Sequence, residues 1–286
     1  MRPVRALLLL VGCRADMLRR LVPGLRRAAT KSMSTKPKCV MLNAARLDFD
    51  GRIDFAKLEQ VVDIERFDKT QPEDVPARCE GAQIIVNKEM PLTAETIAQL
   101  PSTVKLICEA GTGYNNIDLD ACQAKGVSLS NVPTYATEAM AHMAITALMA
   151  CSCSLWQQAA AFGCGDFQYL EQCHPGDLTH VELHGKTLGL VGGLGTIGKR
   201  VAAIASALGM KVVASSSRMA AIGQQGDVTV VSLDELLETS DFVSIHCPLN
   251  ANTKGLIGRV ELARMKPTAF LINTARGSII DHRAPC

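Results

Sequence analysis

The sequence lacks any strong net charge. Thirty lysine and arginine residues oppose 28 aspartate and glutamate residues, so the formal net charge of the 286-residue chain is only +2. Proteins that bind nucleic acid or acidic partners usually carry a concentrated basic excess. We therefore expect no nucleic-acid partner.

The sequence also lacks the cysteine spacing of a zinc site. Eleven cysteines are present, but no C-x₂-C pair occurs, and only Cys151 and Cys153 are close together. Most of the others lie inside apolar segments, as Cys39, Cys108 and Cys247 do, where cysteine behaves as a small hydrophobic residue. The pattern predicts reduced thiols in a reducing compartment and no bound metal.

The sequence also lacks a clear membrane-spanning segment. Residues 7–11 form an apolar run much shorter than the roughly 20 residues a bilayer needs. Residues 136–156 are long enough, but they contain His142 and several hydroxyl side chains and lack basic flanks. They are predicted to form a buried helix between two domains, and no membrane partner is expected.

Positive charge is concentrated in residues 1–38, which hold seven arginines and three lysines against one acid, Asp16. Segments rich in arginine, poor in acids and interleaved with apolar residues are typical of organelle transit peptides. Residues 1–35 are predicted to be such a leader, disordered, with the mitochondrion favoured over the plastid. The alternatives are a secretory signal or a solvated basic tail, and a cytoplasmic protein follows if the segment is not a transit peptide.

Short apolar strands alternate with helical stretches after residue 38, which indicates a parallel α/β sheet. The predicted strands are 39–43, 61–67, 83–86, 104–108 and 127–130, and the predicted helices are 54–60, 72–81, 93–100 and 117–125. Thr93 and Thr96 are candidate caps, and Gly126 is a candidate helix stop. A second alternation begins at Lys186, with strands 187–191, 211–214, 241–246 and 269–273 and helices 196–208 and 232–239.

The segment Gly193-Leu194-Gly195-Thr196-Ile197-Gly198 matches G-x-G-x-x-G between a predicted strand and a predicted helix. That context is typical of a dinucleotide-binding turn. The first glycine permits a tight turn, the second lets backbone amides approach a pyrophosphate, and the third lets helix and strand pack closely. The helix N-terminus then offers N–H groups to the phosphates. The alternative is a glycine-rich turn without a ligand.

The end of the following strand bears on which nicotinamide cofactor binds. An NAD site usually places an acid there, whereas this chain reads Ser215-Ser216-Ser217-Arg218. Ser216 and Arg218 suit a ribose 2′-phosphate, so NADP is favoured over NAD. The alternative is that Arg218 only begins a solvated turn.

A resemblance to a known family appears in the glycine turn and in two later segments, residues 244–257 and 270–281. Two earlier segments, residues 110–118 and 131–135, share this resemblance. Over about residues 39–281 the chain resembles the D-isomer-specific 2-hydroxyacid dehydrogenases, and it is most similar to glycerate dehydrogenases, also called hydroxypyruvate reductases. The resemblance implies a flavodoxin-like substrate domain at 36–134 and an incomplete, truncated Rossmann domain at 135–286.

The resemblance also implies residue roles. Gly111, Thr112 and Gly113 match the loop that holds the substrate carboxylate, and Thr112 also lies beside the cofactor. Arg276 matches the arginine that binds the carboxylate and carbonyl of a 2-oxo acid, which its planar fork can hold bidentately. The remaining cofactor-binding matches are Gly193, Gly195, Thr196, Ile197, Gly198, Cys247, Pro248, Thr274 and Ala275. The implied reaction is reduction of hydroxypyruvate or glyoxylate by NAD(P)H in a homodimer.

Hydride transfer to a carbonyl also needs a proton donor, usually a histidine paired with a carboxylate. In the family the carboxylate follows the arginine by about thirty residues and the histidine by nearly fifty, whereas only ten residues follow Arg276 here. His282 is too close to Arg276, and His246 is interpreted as a strand-end residue without a catalytic role. A truncated, inactive chain is therefore expected. The alternatives are a non-catalytic dinucleotide-binding interaction protein and a fragment with no function of its own.

Overall fold

The computed structural model describes residues 36–163, 180–216 and 223–283. The chain divides into two compact units, Met1–Tyr135 and Ala136–Cys286. The predicted leader at 1–35 and the predicted cofactor residue Arg218 lie outside the described residues.

The first unit is built on a five-stranded sheet in which every described pair is parallel. Its strands are β1 Lys38–Met41, β2 Asp63–Arg66, β3 Ile84–Asn87, β4 Leu106–Glu109 and β5 Ser128–Ser130. The order β2-β1-β3-β4-β5 is the 2-1-3-4-5 order of flavodoxin-like folds, which confirms the predicted class. Alternate residues of β1 enter different core clusters, Val40 on one side and Cys39 with Met41 on the other, because both faces of the sheet are covered.

Short helices cover this sheet. They are α1 Ala44–Leu47, α2 Ala56–Glu59, α3 Val75–Arg78, α4 Ala94–Gln99 and α5 Leu119–Lys125, with a 3₁₀ turn at Pro72–Asp74 before α3. The Thr93 hydroxyl accepts a hydrogen bond from the Thr96 amide at 3.3 Å, as an N-cap should. Gly126 ends α5 with φ +70°, a left-handed conformation that favours glycine. Thr93 is therefore the cap and Gly126 the stop, whereas the other candidate cap, Thr96, lies within α4.

The second unit holds a six-stranded sheet. Its strands are β6 Thr187–Val191, β7 Lys211–Ser215, β8 Gly223–Gln225, β9 Val228–Val230, β10 Phe242–Ile245 and β11 Phe270–Asn273, in the order β11-β10-β6-β7-β9-β8. The parallel strands occupy the first five places of the Rossmann order 3-2-1-4-5-6, and β8 adds an antiparallel edge. The predicted α/β class is confirmed, whereas β8 and β9 were not expected from the sequence.

The helices of the second unit are α6 Thr137–Ser152, α7 Leu155–Gly163, α8 Thr196–Ala207, α9 Leu233–Thr239 and α10 Arg259–Arg264, with a 3₁₀ turn at Gly277–Ile279. The single helix predicted at 136–156 is wrong, because α6 and α7 are separated by a break that bends the pair by 71°. Ser154 stands at the break with φ +50°, a conformation that a helix cannot contain. Just before the break, the Ser152 hydroxyl and the Cys153 thiol both donate to the Met149 carbonyl, so these residues still resemble helical ones.

The burial expected for this segment is only half correct. One face of α6 packs on α8 through Ala141, Ala144, Ile145 and Leu148, whereas Met143 and Met149 are exposed. Within the described residues no single helix has the length and apolar character for a membrane span; the bent pair α6–α7 meets that test only jointly.

Candidate functional site

Three predicted site segments lie at one edge of the second sheet. Val191 of β6 pairs with Ile245 of β10, which pairs with Asn273 of β11. The segments that follow these strands are therefore neighbours. The strand order reverses between β6 and β10, and open α/β sheets bind ligands at the carboxyl ends of the strands beside such a switch point.

The turn after β6 depends on glycine at more positions than the motif specifies. Gly192, one residue before the motif, has φ +75°, and a Cβ there would lie 2.6 Å from Cys247 Cβ. A Cβ on Gly193 would strike the Leu190 side chain, and one on Gly198 would strike the backbone of Gly193. The left-handed backbone conformation therefore lies at Gly192, whereas positions 193 and 198 require glycine because neighbouring atoms pack closely against them.

Gly195 differs from these glycines. A Cβ added there would meet only the Gly192 carbonyl oxygen, 4.0 Å away, so nothing in the described protein requires glycine at this position. The residue caps α8, whose first turn carries neither a side-chain cap nor an acidic residue. Open space beside uncapped helix N–H groups suits a pyrophosphate, which gains from both the donors and the helix dipole. The predicted cofactor residues Thr196 and Ile197 begin this helix, and the residues present fit a dinucleotide.

The neighbouring strand β7 brings Ser216, one of the two predicted ribose contacts, to the same edge. The Ser215 carbonyl accepts a hydrogen bond from the Gly192 amide at 2.7 Å, which fixes the end of β7 against the glycine turn. Ser216 follows directly and is partly exposed. The predicted preference for NADP rests on Ser216 together with Arg218, which is outside the described residues, so it stays a prediction.

The segment after β10 places Cys247 and Pro248 beside the glycine turn. Cys247 is buried, and burial raises the pKa of its thiol. The Pro248 carbonyl accepts a hydrogen bond from the Thr253 hydroxyl at 2.6 Å, which closes the loop. His246 lies just before it, with Nε2 2.9 Å from the Ser244 hydroxyl. Burial lowers the pKa of His246 to about 4, so this histidine is neutral at physiological pH.

The segment after β11 presents Arg276. Asn273 organises it, since its side-chain oxygen accepts from the Ala275 amide at 3.0 Å and its side-chain nitrogen donates to the Arg276 carbonyl at 2.9 Å. The Arg276 side chain is exposed, and its Nη1 donates to the Ala275 carbonyl at 3.0 Å. Thr274 and Ala275 lie within the same turn. Sequence reasoning missed the positioning role of Asn273, although an asparagine at a strand end is a common turn-forming signal.

In the first unit, the predicted carboxylate loop Gly111, Thr112 and Gly113 follows β4. The Thr112 hydroxyl donates to the Val132 carbonyl at 3.0 Å, and Asn131 donates to the Thr112 carbonyl at 2.8 Å. The Val132 amide donates to the Gly111 carbonyl at 3.0 Å. The loop is thus pinned to the segment after β5.

A buried carboxylate behind this loop was missed by sequence reasoning. Glu109, the last residue of β4, is fully buried, and its oxygens accept hydrogen bonds from three N–H groups. The donors are Asn87 Nδ2 at 2.7 Å, Asn116 Nδ2 at 3.0 Å and the Glu89 amide at 3.0 Å. Glu109 therefore ties the end of β3 to both ends of the loop. The predicted strand ended at residue 108, so the acid was not recognised as part of the buried sheet.

Comparison with known proteins places these segments in a family. A family model described as "D-isomer specific 2-hydroxyacid dehydrogenase, NAD binding domain" matches residues 147–285. The chain is 35% identical over 213 residues to the glycerate dehydrogenase of Methylorubrum extorquens, a match covering 74% of this chain and 65% of the relative. It is 30% identical over 239 residues to the hydroxypyruvate reductase of Blautia hydrogenotrophica, covering 84% of this chain and 73% of the relative.

Solved structures agree with these relatives. A glyoxylate reductase from Paecilomyes thermophila matches with a TM-score of 0.75 and 30% identity over 88% of this chain and 77% of its own. An acyclic imino acid reductase in complex with NADPH and D-Arg matches with a TM-score of 0.74 and 27% identity, over 85% of this chain and 76% of its own. The chain belongs to the D-isomer-specific 2-hydroxyacid dehydrogenase family, as the sequence motifs indicated. It spans roughly two thirds to three quarters of the length of the two relatives named above.

Proposed function

We propose that this chain carries the dinucleotide site and the carboxylate-binding groups of an oxidoreductase that reduces a small 2-oxo acid with NAD(P)H. The observation that carries the proposal is the adjacency of three segments, the Gly193–Gly198 turn, the Cys247-Pro248 loop and the Arg276 turn, after three paired parallel strands. The substrates proposed are hydroxypyruvate and glyoxylate, which relatives of this family are named for reducing.

In the proposed reaction the α8 N-terminus and Gly195 hold the pyrophosphate, and the guanidinium of Arg276 holds the substrate carboxylate and polarises its carbonyl. Within the first unit, the amides of Gly111–Gly113 are proposed to bind a substrate carboxylate. A bound nicotinamide in its reduced form would supply the hydride. Arg276 then stabilises the negative charge that develops on the carbonyl oxygen.

Proton donation by a histidine–carboxylate pair is the step that the described residues do not supply beside Arg276. His282 comes near this turn, with Nε2 3.5 Å from a Cβ placed on Gly277, but within the described residues no carboxylate pairs with it. His246 is half-buried, and its low pKa keeps it neutral.

His142 lies 3.8 Å from the Glu138 carboxylate, but Arg200 shares that carboxylate at 3.0 Å. His142 and Glu138 belong to α6 rather than to the strand-end loops. For a polypeptide of these 286 residues we therefore propose dinucleotide binding without turnover.

A titration and a chimera test this proposal. Binding of NADH or NADPH to the 286-residue polypeptide should enhance cofactor fluorescence, while hydroxypyruvate should cause no oxidation followed at 340 nm. Joining residues 36–281 to the following segment of the Blautia hydroxypyruvate reductase should restore turnover. Arg276→Lys in that chimera should lower kcat/KM about 100-fold or more, since an ammonium cannot hold the carboxylate bidentately. Turnover by the 286-residue polypeptide itself would contradict the proposed absence of a proton donor.

The proposed cofactor is NADP in preference to NAD, because the stretch from Ser215 to Arg218 offers hydroxyls and a guanidinium but no acid. Arg218→Ala should weaken NADPH binding by about 1.5–3 kcal/mol, the usual contribution of a hydrogen bond to a charged group, and leave NADH binding unchanged. Equal affinity of the unmutated chain for both cofactors would reject the preference.

We also propose that the chain pairs with a second copy. Five large apolar side chains on α6 and α7 are exposed: Met143, Met149, Leu155, Trp156 and Phe162. Several large apolar side chains exposed on neighbouring helices are typical of association sites. Light scattering should report a dimer, and Trp156→Glu should yield monomers. Val260→Glu, a substitution at another exposed apolar residue, is the control expected to leave the dimer intact.

The localisation proposed is an organelle, the mitochondrion first, on the basis of the arginine-rich residues 1–38. A fluorescent protein carrying residues 1–38 should co-localise with a mitochondrial marker. Replacing the seven arginines of that segment by glutamine should leave the reporter in the cytoplasm. A reporter that is cytoplasmic before the replacement would reject the proposal.

A further inference from the structure

Lys88 lies at the carboxyl edge of the first sheet, beside the predicted carboxylate loop. It directly follows β3, and the loop at Gly111 begins two residues after the adjacent parallel strand β4. A Cβ placed on Gly111 would lie 3.6 Å from Lys88 Nζ. The ammonium therefore rests against the backbone of the loop.

The ammonium is held in place, unlike those of most surface lysines. Only 15% of the Lys88 side chain is exposed. Its Nζ lies 3.0 Å from a carboxylate oxygen of Glu89 and 5.8 Å from the centre of the Tyr135 ring. An ammonium has three donors, and side-chain hydrogen bonds to Glu89 and Tyr135 use two of them, which leaves one for a ligand.

The charges around Lys88 favour the protonated state. Burial lowers the pKa of Lys88, but Glu89 and Tyr135 more than offset this effect, so the pKa lies above its ordinary value. Glu109 also reaches this point, with Oε1 3.3 Å from the same Cβ position on Gly111, but its oxygens already accept three N–H groups. The Glu89 side chain is 56% exposed, so water screens its charge.

We infer that Lys88 is a substrate-binding residue whose ammonium contacts the carboxylate of the 2-oxo acid beside the loop amides. The inference rests on the proposed function of that loop. Backbone amides alone offer partial charges, whereas a fixed ammonium adds a full positive charge at short range. Lys88 would thereby raise affinity for anionic substrates specifically, without taking part in hydride transfer.

Oxalate, a planar dicarboxylate with the geometry of a 2-oxo acid, is the probe. The full chain saturated with NADPH should bind oxalate, and Lys88→Met should raise the Kd about 10- to 100-fold, the range expected for a lost hydrogen bond to a charged group. Lys88→Arg should stay within about threefold of the unmutated chain. Lys105→Met, at an exposed lysine whose Nζ bonds only to the Ser102 carbonyl in the described structure, should have no effect.

Two further readouts separate binding from folding. The unfolding midpoint and the NADPH affinity of Lys88→Met should equal those of the unmutated chain. Raising the salt concentration should weaken oxalate binding in the unmutated chain and in Lys88→Arg more than in Lys88→Met, because only the first two retain the charge. A Lys88→Met variant that binds oxalate within twofold of the unmutated chain would overturn the inference and leave the proposed function intact. Failure of the unmutated chain to bind oxalate while it still binds NADPH would overturn both.

Discussion

The two units differ in how they hold the loops that are proposed to bind anions. In the second unit the turn after β6 is shaped by close packing, since Gly192, Gly193 and Gly198 each stand where a Cβ would strike a neighbour. In the first unit the loop after β4 is shaped by hydrogen bonds that the side chains of Thr112, Asn116 and Asn131 donate, with the Glu109 carboxylate accepting from Asn116. A loop fixed by packing requires particular small residues, whereas a loop fixed by polar side chains depends on matched donors and acceptors.

The largest effect should come from filling a packed position of the glycine turn. In Gly198→Ala the new methyl group would strike backbone atoms of Gly193, which cannot move aside as a flexible side chain could. We expect a loss of about 3 kcal/mol or more in the free energy of unfolding, measured by urea denaturation, together with loss of NADPH binding. Gly195→Ala is the matched control, with open space around its Cβ: stability should be retained while NADPH binds more weakly. Equal stability of the two variants would show that packing does not shape the turn.

A slightly smaller effect should appear with pH in the second unit. His246 titrates near 6.5 when unfolded and near 4 when folded, so the unfolded state binds its proton first as pH falls. The stability that a neutral His246 maintains above pH 6.5 is lost progressively between pH 6.5 and 4, by about 3 kcal/mol in total. Denaturation curves of the unmutated chain and of His246→Asn should differ in pH dependence over this range, the variant being flatter. If the stabilities of the two proteins fell in parallel with pH, folding would not lower the pKa of His246.

Breaking the polar loop of the first unit should cost less. In Glu109→Gln the new side-chain NH₂ must face one of the three N–H groups that now donate to the carboxylate. We expect a loss of about 2 kcal/mol in unfolding free energy and faster hydrogen exchange of residues 110–116, with NADPH binding unchanged. Glu95→Gln, at an exposed helix position, should be silent in both measurements. Unchanged exchange in Glu109→Gln would show that the network does not hold the loop.

The smallest effect should come from the N-terminal segment. Removing residues 1–34 should leave the melting temperature unchanged, because an arginine-rich segment of this composition has little apolar surface to bury. Differential scanning calorimetry of the full and shortened chains provides the comparison. A fall of several degrees on removal would show that the segment packs against the rest of the protein.

The sequence by itself determined the alternation of strands and helices, because buried parallel strands are short apolar runs and helices begin and end at recognisable residues such as Thr93 and Gly126. It also determined the family, because the turn at Gly193–Gly198 and the segment at Arg276 combine local motifs with strand and helix context. The break after α6 was missed because neither glycine nor proline marks it: the backbone leaves the helix at Ser154, with φ +50°, and the apolar residues resume at Leu155.

Only the tertiary structure decided how each loop is held. The need for glycine at Gly192 arises from Cys247, 55 positions further along the chain, which no local pattern can reveal. The partners of Glu109 come from the end of β3 and from the far side of the loop, so a buried acid that looks out of place in an apolar strand is satisfied only after folding. Local patterns record what neighbouring residues require, whereas parallel sheets assemble their sites from strand ends that are distant in sequence.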